Sequence, residues 1–459
     1  MSGAPYDLVV RGRLVLSDRI IEDGYVAARG GRIAGIGDAE APAPAARVVV
    51  NAGRAYVLPG VVDTHVHARS EPAEGFRHCT ESAVAGGVTT IVDMPYDMPA
   101  AVPDLDTFER KVAAIAAEAV GDVALYGTIR KAGGLAEIER IAGAGACAFK
   151  VATYEADPVR FPRIPDGEML EAFRRIAATG LLVAVHCENQ EIADRGVAEE
   201  RRAGRLDPLA HGRSRPPVSE TEAVARVLEL AFHTTVHVHI VHASVARSFD
   251  LVRRYRAEGV RATAETCIQY LVLDELAPER LGALAKINPP LRAGEHVSAL
   301  WAYLAAGRID QVTSDHAPWA RGRKSDPDIF KNASGAPGVE TLLPLLYHHG
   351  VAAGRISVLD LVRLLAEHPA RNFHLFPRKG ALVPGADADL VVFDPDAHWT
   401  VRGEELHSAA GWTPYEGMPL RGRVVQTFVR GRLAFEHGTV VARPGDGEFI
   451  RPVRSTRPG

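Results

Sequence analysis

Apolar and polar positions change rhythm twice along the chain. From Asp7 to Leu16 (DLVVRGRLVL) apolar residues flank an R-G pair, which predicts strand, turn, strand; Gly24 to Gly37 continues in short alternating segments broken by glycine. The same texture returns near the other end. Ala388–Asp394 (ADLVVFD) is a β-branched run, and Thr427–Phe435 (TFVRGRLAF) repeats the strand, R-G, strand form. The two ends predict one small β domain assembled from both, with two separate β caps as the alternative.

Between about Leu58 and Gly380 strands alternate with helices. Buried-strand candidates are Val61–Val66, Thr89–Met94, Val123–Ile129, Cys147–Ala152, Leu181–Val185, Val236–Val241, Val260–Thr266 and Asp310–Ser314. Helical periodicity covers Phe108–Ala119 and Glu222–Phe232. The second opens on S-E-T-E (219–222), the spacing of a capping box with Ser219 at the N-cap and Glu222 at N3. Eight such strands separated by helices predict an α/β fold of the TIM (β/α)8 barrel type. A doubly wound open sheet is the alternative.

A chain of 459 residues suits such a barrel plus an accessory domain, and 47% apolar residues allow a sizeable core. The net charge of -4 comes with no dense Lys/Arg cluster, which argues against nucleic-acid or membrane partners. Arg195 to Arg215 is interleaved with Glu and Asp and reads as a solvated segment. Cys79, Cys147, Cys187 and Cys267 lie far apart and form no C-x-x-C pair, as expected of reduced thiols. No basic segment leads into an apolar one near the start, and no apolar run approaches the ~20 residues of a membrane span. A soluble, cytoplasmic protein is expected.

Unusual polar residues fall where a barrel places its chemistry, at the carboxyl ends of the strands. Strand one ends in D-T-H-V-H (63–67), and strand four carries Lys150 within A-F-K-V-A-T. Strand five ends in V-H-C-E (185–188), strand six in V-H-A-S (241–244) and strand eight in S-D-H-A-P (314–318). Residues i and i+2 of a strand share a face, so His65 and His67 project together. With further histidines and a carboxylate on the same rim they form a nitrogen and oxygen donor set suited to Zn²⁺. A lysine at a strand end ordinarily snorkels to water or pairs with an aspartate. Beside metal it has another course: desolvation favours the neutral amine, which adds CO₂ to become a carbamate able to bridge two ions. The four histidines favour this second reading. His237 and His239 fall below the rim and read as structural, and Cys187 and Cys267 read as buried small apolar residues.

The ordered set V-L-P-G-V-V-D-T-H-V-H (57–67), G-G-V-T-T-I-V-D-M-P (86–95), F-K (149–150), V-H-C-E, V-H-A-S, E-T-C (265–267), N-P-P-L-R (288–292), S-D-H-A-P and G-A-D-A-D-L-V (385–391) resembles the cyclic amidohydrolases. These comprise the allantoinases, hydantoinases (dihydropyrimidinases) and dihydroorotases of the amidohydrolase superfamily. The resemblance implies a barrel over 58–379 and a β-sandwich built from 1–57 and 380–459. It also implies two zinc ions per chain: one on His65, His67 and Asp315, the other on His186 and His242, with N6-carboxylated Lys150 between them. A hydroxide held by the two metals would attack the carbonyl of a cyclic amide or ureide. Asp315 would take its proton and pass it to the departing ring nitrogen. Relatives commonly form homodimers or homotetramers, and some that have lost ligands act as scaffolding proteins; here all six ligand positions are filled.

For the substrate, Arg69 in H-V-H-A-R resembles the arginine with which dihydroorotases hold a carboxylate. The asparagine that usually completes that grip is replaced by Tyr96-Asp97. The hydantoinase tyrosine expected five residues after the lysine is absent; Tyr154 stands four after. Asn288 and Ser334 match positions that hold the substrate's amide edge, although turn formation explains either equally well. T-P-Y-E-G (413–417), R-G-R-V-V-Q-T-F-V-R-G (421–431) and K-I-N-P-P-L-R (286–292) look more like allantoinases. The ranking is allantoinase-like first, hydantoinase-like second and dihydroorotase-like third.

Overall fold

The computed structural model describes residues 6–38, 40 and 44–453; the outer parts of the expected terminal segments, 1–5 and 454–459, lie outside them. Four strands open the chain: β1 (Tyr6–Val15), β2 (Ile20–Arg29), β3 (Arg32–Gly37) and β4 (Ala46–Pro59). Eight more follow with helices between them: β5 (Val61–Val66), β6 (Val88–Asp93), β7 (Asp122–Gly127), β8 (Ala148–Ala152), β9 (Leu182–His186), β10 (His237–Ile240), β11 (Ala262–Cys267) and β12 (Gln311–Thr313). The last four are β13 (Leu390–Thr400), β14 (Pro419–Val429), β15 (Arg432–Glu436) and β16 (Thr439–Val440).

β5 to β12 pair in chain order, all parallel. Their residues are buried on both faces almost without exception, as a parallel sheet wrapped by helices requires. The ring is drawn together by a parallel bridge between Val66 and His316, where the His67 N–H donates to the His316 carbonyl at 2.8 Å. The TIM barrel is as expected, and each of the eight sequence-predicted strands overlaps an observed one.

The ends form a second, mixed sheet of order β16-β15-β14-β13-β4-β1-β2-β3, so one unit rather than two caps is built from both. The two R-G pairs behave differently. Arg430-Gly431 makes the expected hairpin turn, both residues at positive φ (47° and 71°) as a tight hairpin demands. Arg11-Gly12 makes no turn: β1 runs straight through it, with only a register shift there against β2 and β4. β1 has a hydrogen-bonded neighbour on each side, and turning would abandon both ladders.

The expected capping box at Ser219 is also corrected. The helix runs Pro217–Phe232, begins three residues earlier, and has Pro216 at its N-cap. Pro217 at the first helical position has no N–H to satisfy and a φ already suited to the helix. Ser219 therefore lies inside, donating to the Pro216 carbonyl at 2.8 Å, and Glu222 accepts from Asn189 instead.

The two units are tightly joined. Gly60 alone separates β4 from β5, and its N–H donates to the Asp389 carbonyl at 2.9 Å. A Cβ there would lie 2.1 Å from Thr89 Oγ1, so no larger residue fits. Buried Lys379 pairs with Asp122 of the barrel and with Asp387 and Asp389 at 3.0 and 2.8 Å. Ile450 is fully buried and donates its N–H to the Val123 carbonyl at 2.8 Å, laying the tail along β7. Among the described residues no helix is long and apolar enough to cross a membrane.

Candidate active site

The carboxyl ends of the barrel strands open into a cavity of about 770 Å³. His65, His67, Lys150, His186, His242 and Asp315 all line it, so the six predicted ligand positions meet in one place. The donor atoms of His65, His67 and Asp315 lie within 4.8 Å of one another. Asp315 Oδ1 is 3.2 Å from His65 Nε2 and 3.5 Å from His67 Nε2. Across the cavity His186 Nδ1 faces His242 Nε2 at 2.8 Å, and the His65 and His242 rings are 5.3 Å apart. Two facing imidazole nitrogens that close require a proton or a cation between them, and this convergence of donors suits metal.

Two of these residues, His242 and Asp315, hold left-handed backbone, φ 42° and 47°. Non-glycine residues seldom do so, and such strain collects where side chains must be aimed. Here it occurs just past β10 and β12, as the chain turns off the barrel.

Behind the rim stands a layer of carboxylates. Glu265 Oε2 meets His239 Nε2 and Gln311 Nε2, each at 3.1 Å, while its Oε1 accepts the His242 N–H at 3.3 Å and faces the His65 ring. Glu188 Oε2 holds His186 Nε2 at 2.8 Å, and its other oxygen accepts from Arg215 at 3.0 Å. Arg215 donates in turn to the Tyr154 hydroxyl at 2.6 Å. Burial would raise both glutamates, but the charges and hydrogen bonds of these partners hold them well below the usual carboxylate range. Neither glutamate was assigned from sequence, though signals existed. Glu188 lies two residues beyond His186, on the same side of an extended segment. Glu265 is a carboxylate inside a buried strand, which demands a partner.

The site's own titrations differ. Burial lowers the Lys150 ammonium from 10.5 to about 8, against the opposing pull of Glu265 and Asp315. Burial lowers His67 to about 4, leaving a neutral imidazole at pH 7. Asp315 would be raised by burial, but the charge of His65 and the hydrogen bond and charge of His67 bring it below its ordinary value.

Asn288 and Ser334 both line the cavity. Asn288 Oδ1 is buried without a partner among the described residues. The Ser334 carbonyl accepts from Trp319 Nε1 at 2.8 Å, and the next residue, Gly335, donates its N–H to the Lys286 carbonyl at 2.9 Å. Buried Lys324 pins these loops together, donating to the carbonyls of Lys286 (2.9 Å), Ala333 (3.2 Å) and Gly335 (2.5 Å). Nothing in the polar stretch around Lys324 signals that role in the sequence.

Arg69, expected to bind substrate, is not among the residues that line the cavity, although its neighbours His67 and Ser70 are. Its guanidinium lies 3.5 Å from Asp97 and 3.4 Å from Glu118, over the Phe76 ring. Asp97, the residue in place of the missing asparagine, draws the arginine aside. His239 is structural, as expected, buried between Thr263 and Glu265; His237 also contacts Thr263. Cys187 and Cys267 are buried, and burial pushes both thiols up, away from nucleophilic use.

Fold and site together define a hydrolase barrel with a histidine-rich metal-type rim, and residues 56–434 match the model of the amidohydrolase family. The chain belongs to that family, in keeping with the resemblance seen in its motifs. It is 37% identical over 459 residues to an allantoinase of Rubrobacter xylanophilus, with 98% of each chain covered. It is 35% identical over 452 residues to an L-hydantoinase of Paenarthrobacter aurescens, covering 97% of this chain and 98% of that one. The solved L-hydantoinase (dihydropyrimidinase) from Arthrobacter aurescens superposes with a TM-score of 0.93 at 35% identity, over 97% of this chain and 100% of that one. The family is generally metal-dependent, and the rim holds the donors for such ions.

Proposed function

We propose that this protein hydrolyses the C–N bond of a cyclic amide or ureide, with an allantoin-like neutral ring as its substrate. The observation that carries the reading is the meeting of His65, His67, Asp315, His186, His242 and Lys150 around one cavity, backed by Glu265 and Glu188. In this reading His65, His67 and Asp315 would hold one zinc ion and His186 and His242 a second, with Lys150, as its carbamate, the further oxygen ligand the two would share. Bound divalent ions supply Lewis acidity toward the ring carbonyl and lower the pKa of water.

The chain's own residues do the rest. Asp315, held below the usual carboxylate range, is ionised at neutral pH and accepts the proton of the attacking water. The ring C–N bond then breaks, and Asp315 returns the proton to the departing nitrogen. Asn288 and the main chain around Ser334 receive the amide edge of the ring, which supports the unpaired Asn288 Oδ1 having a use. A ring carboxylate finds no partner in Arg69, which Asp97 and Glu118 engage outside the cavity. This ranks a dihydroorotate-type substrate last.

A hydantoinase reading stands second, favoured by the close superposition on the L-hydantoinase. Ring opening measured in parallel on allantoin, 5-substituted hydantoins, dihydropyrimidines and dihydroorotate decides among them. Allantoin is expected to give the highest kcat/KM, and a strong preference for dihydroorotate would overturn the ranking.

A further inference from the structure

One cationic side chain of the cavity wall has no part in the chemistry above. Arg160 lies in the loop after β8, lines the cavity and is only 6% exposed. Its Nε donates to Asp157 at 3.1 Å and its Nη2 to the Tyr96 hydroxyl at 3.3 Å. The guanidinium lies over the Tyr96 ring at 4.5 Å, with Trp319 beyond at 5.7 Å. Its Nη1 is buried and has no acceptor among the described residues. The same Tyr96 ring packs edge-on against His67 at 5.6 Å, so Arg160 is one aromatic ring from the proposed metal site.

A buried guanidinium N–H without an acceptor is costly, and native structures keep few such groups without a use. Packing alone would be served by an apolar residue between two aromatic rings. The planar fork, already fixed by Asp157 and Tyr96, is preorganised to donate once more at low entropic cost. Asp157 does not supply the missing acceptor: its Oδ2 takes Arg160 Nε, its Oδ1 takes the N–H groups of Val159 and Arg160, and neither oxygen bonds Nη1.

We propose that Arg160 reads the exocyclic group of the substrate, its Nη1 donating to a carbonyl-type oxygen carried on the ring carbon beside the reacting amide. This rests on the ring-opening reading and narrows it to rings bearing a ureido or carboxylate substituent over alkyl or aryl ones. Because Asp157 already balances the guanidinium charge, the neutral ureido oxygen is the better fit.

The test uses the full-length, metal-loaded enzyme on allantoin, hydantoin-5-acetic acid and 5-isobutylhydantoin, comparing wild type with Arg160→Met and Arg160→Lys. Arg160→Met should lower kcat/KM for allantoin about 10- to 100-fold, the size of a lost charge-assisted hydrogen bond, and change 5-isobutylhydantoin by no more than roughly threefold. A selective loss on either acceptor-bearing ring supports the assignment, and the larger loss tells a ureido oxygen from a carboxylate. An equal loss on all three rings would overturn it. If Arg160→Met does not fold by circular dichroism, Arg160→Lys and the wild-type preference decide: a wild type that opens 5-isobutylhydantoin as readily as both acceptor-bearing rings refutes the role of Arg160. That outcome leaves ring opening intact, whereas hydrolysis of none of the rings removes both readings together.

Discussion

Glu265 Oε1 lies 2.5 Å from His65 Nδ1, at the end of a buried file that continues through the other carboxylate oxygen to His239. The contact fixes which nitrogen of His65 is turned back into the barrel and which, Nε2, is left for the cavity. An orienting carboxylate behind a ligand histidine typically alters metal affinity about 10- to 100-fold. Glu265→Gln should weaken metal retention by that order in a chelator competition. Unchanged retention would show that His65 needs no such support.

Lys150 gives a pH-dependent prediction. Carbamate formation needs the neutral amine, whose fraction grows as pH rises through about 8. At fixed dissolved CO₂, reactivation of metal-free protein by divalent ions should therefore speed up from about pH 6 to about pH 9, following that titration. Lys150→Ala should lose paired metal binding, and a short carboxylic acid should restore part of it. A Lys150→Ala protein with full metal content and rate would take the lysine out of the site.

Metal removal has a structural readout as well. Ligands that bind only the folded state stabilise it, by about 2.7 kcal/mol at one hundred times Kd. Prolonged chelation should abolish activity and lower Tm, and elemental analysis of the untreated protein should find close to two divalent ions per chain. Active protein free of metal would end the proposal.

For Arg69→Met the expectation is a small effect. The arginine is partly exposed and its carboxylate partners stand at 3.4–3.5 Å. Pairs of that kind contribute about 0–1 kcal/mol, so kcat/KM on a neutral ring should stay within roughly fivefold. A collapse confined to dihydroorotate would return Arg69 to the substrate.

Lys111 is expected to matter far more to stability. It is buried 2.6 Å from both Asp93 and Asp97, whose carboxyls burial already raises above their ordinary value. Lys111→Met leaves Asp93 without its ion-pair partner and Asp97 with only the partly exposed Arg69 at 3.5 Å, a loss of about 3–5 kcal/mol. Removing the cation raises both carboxyls further, so the folded variant binds more protons than the unfolded chain and is stabilised by acid. The deficit should shrink as pH falls toward the ordinary carboxylate range in denaturant titrations, and a constant deficit would contradict this account.

The barrel was legible because each of its strands is buried on both faces and so reads as an apolar run whatever surrounds it. The donor set was legible because strand ends share one rim: His65, His67, His186, His242 and Asp315 needed only that topology to meet. The misreadings came where tertiary partners overrode local pattern. Arg11-Gly12 looks like a turn until β2 and β4 hold β1 straight, and Ser219 looks like a cap until Pro216 and Pro217 begin the helix first. The aromatic and cationic wall of Tyr96, Arg160 and Trp319 comes from three separate loops, and spacing along the chain carries no trace of it.

Lys379 and the tail at Ile450 bear on how such a protein can be divided. The floor of the barrel at Asp122 and Val123 receives its counter-charge from Lys379, a main-chain bond from Ile450 and a guanidinium from Arg430. Shortening the chain to the eight-stranded part would take the cations from Asp122 and open the underside of the barrel to water. The terminal sheet is therefore no appendage to be exchanged at will: the base of the barrel is closed by Lys379, Arg430 and Ile450, all supplied from outside its eight strands.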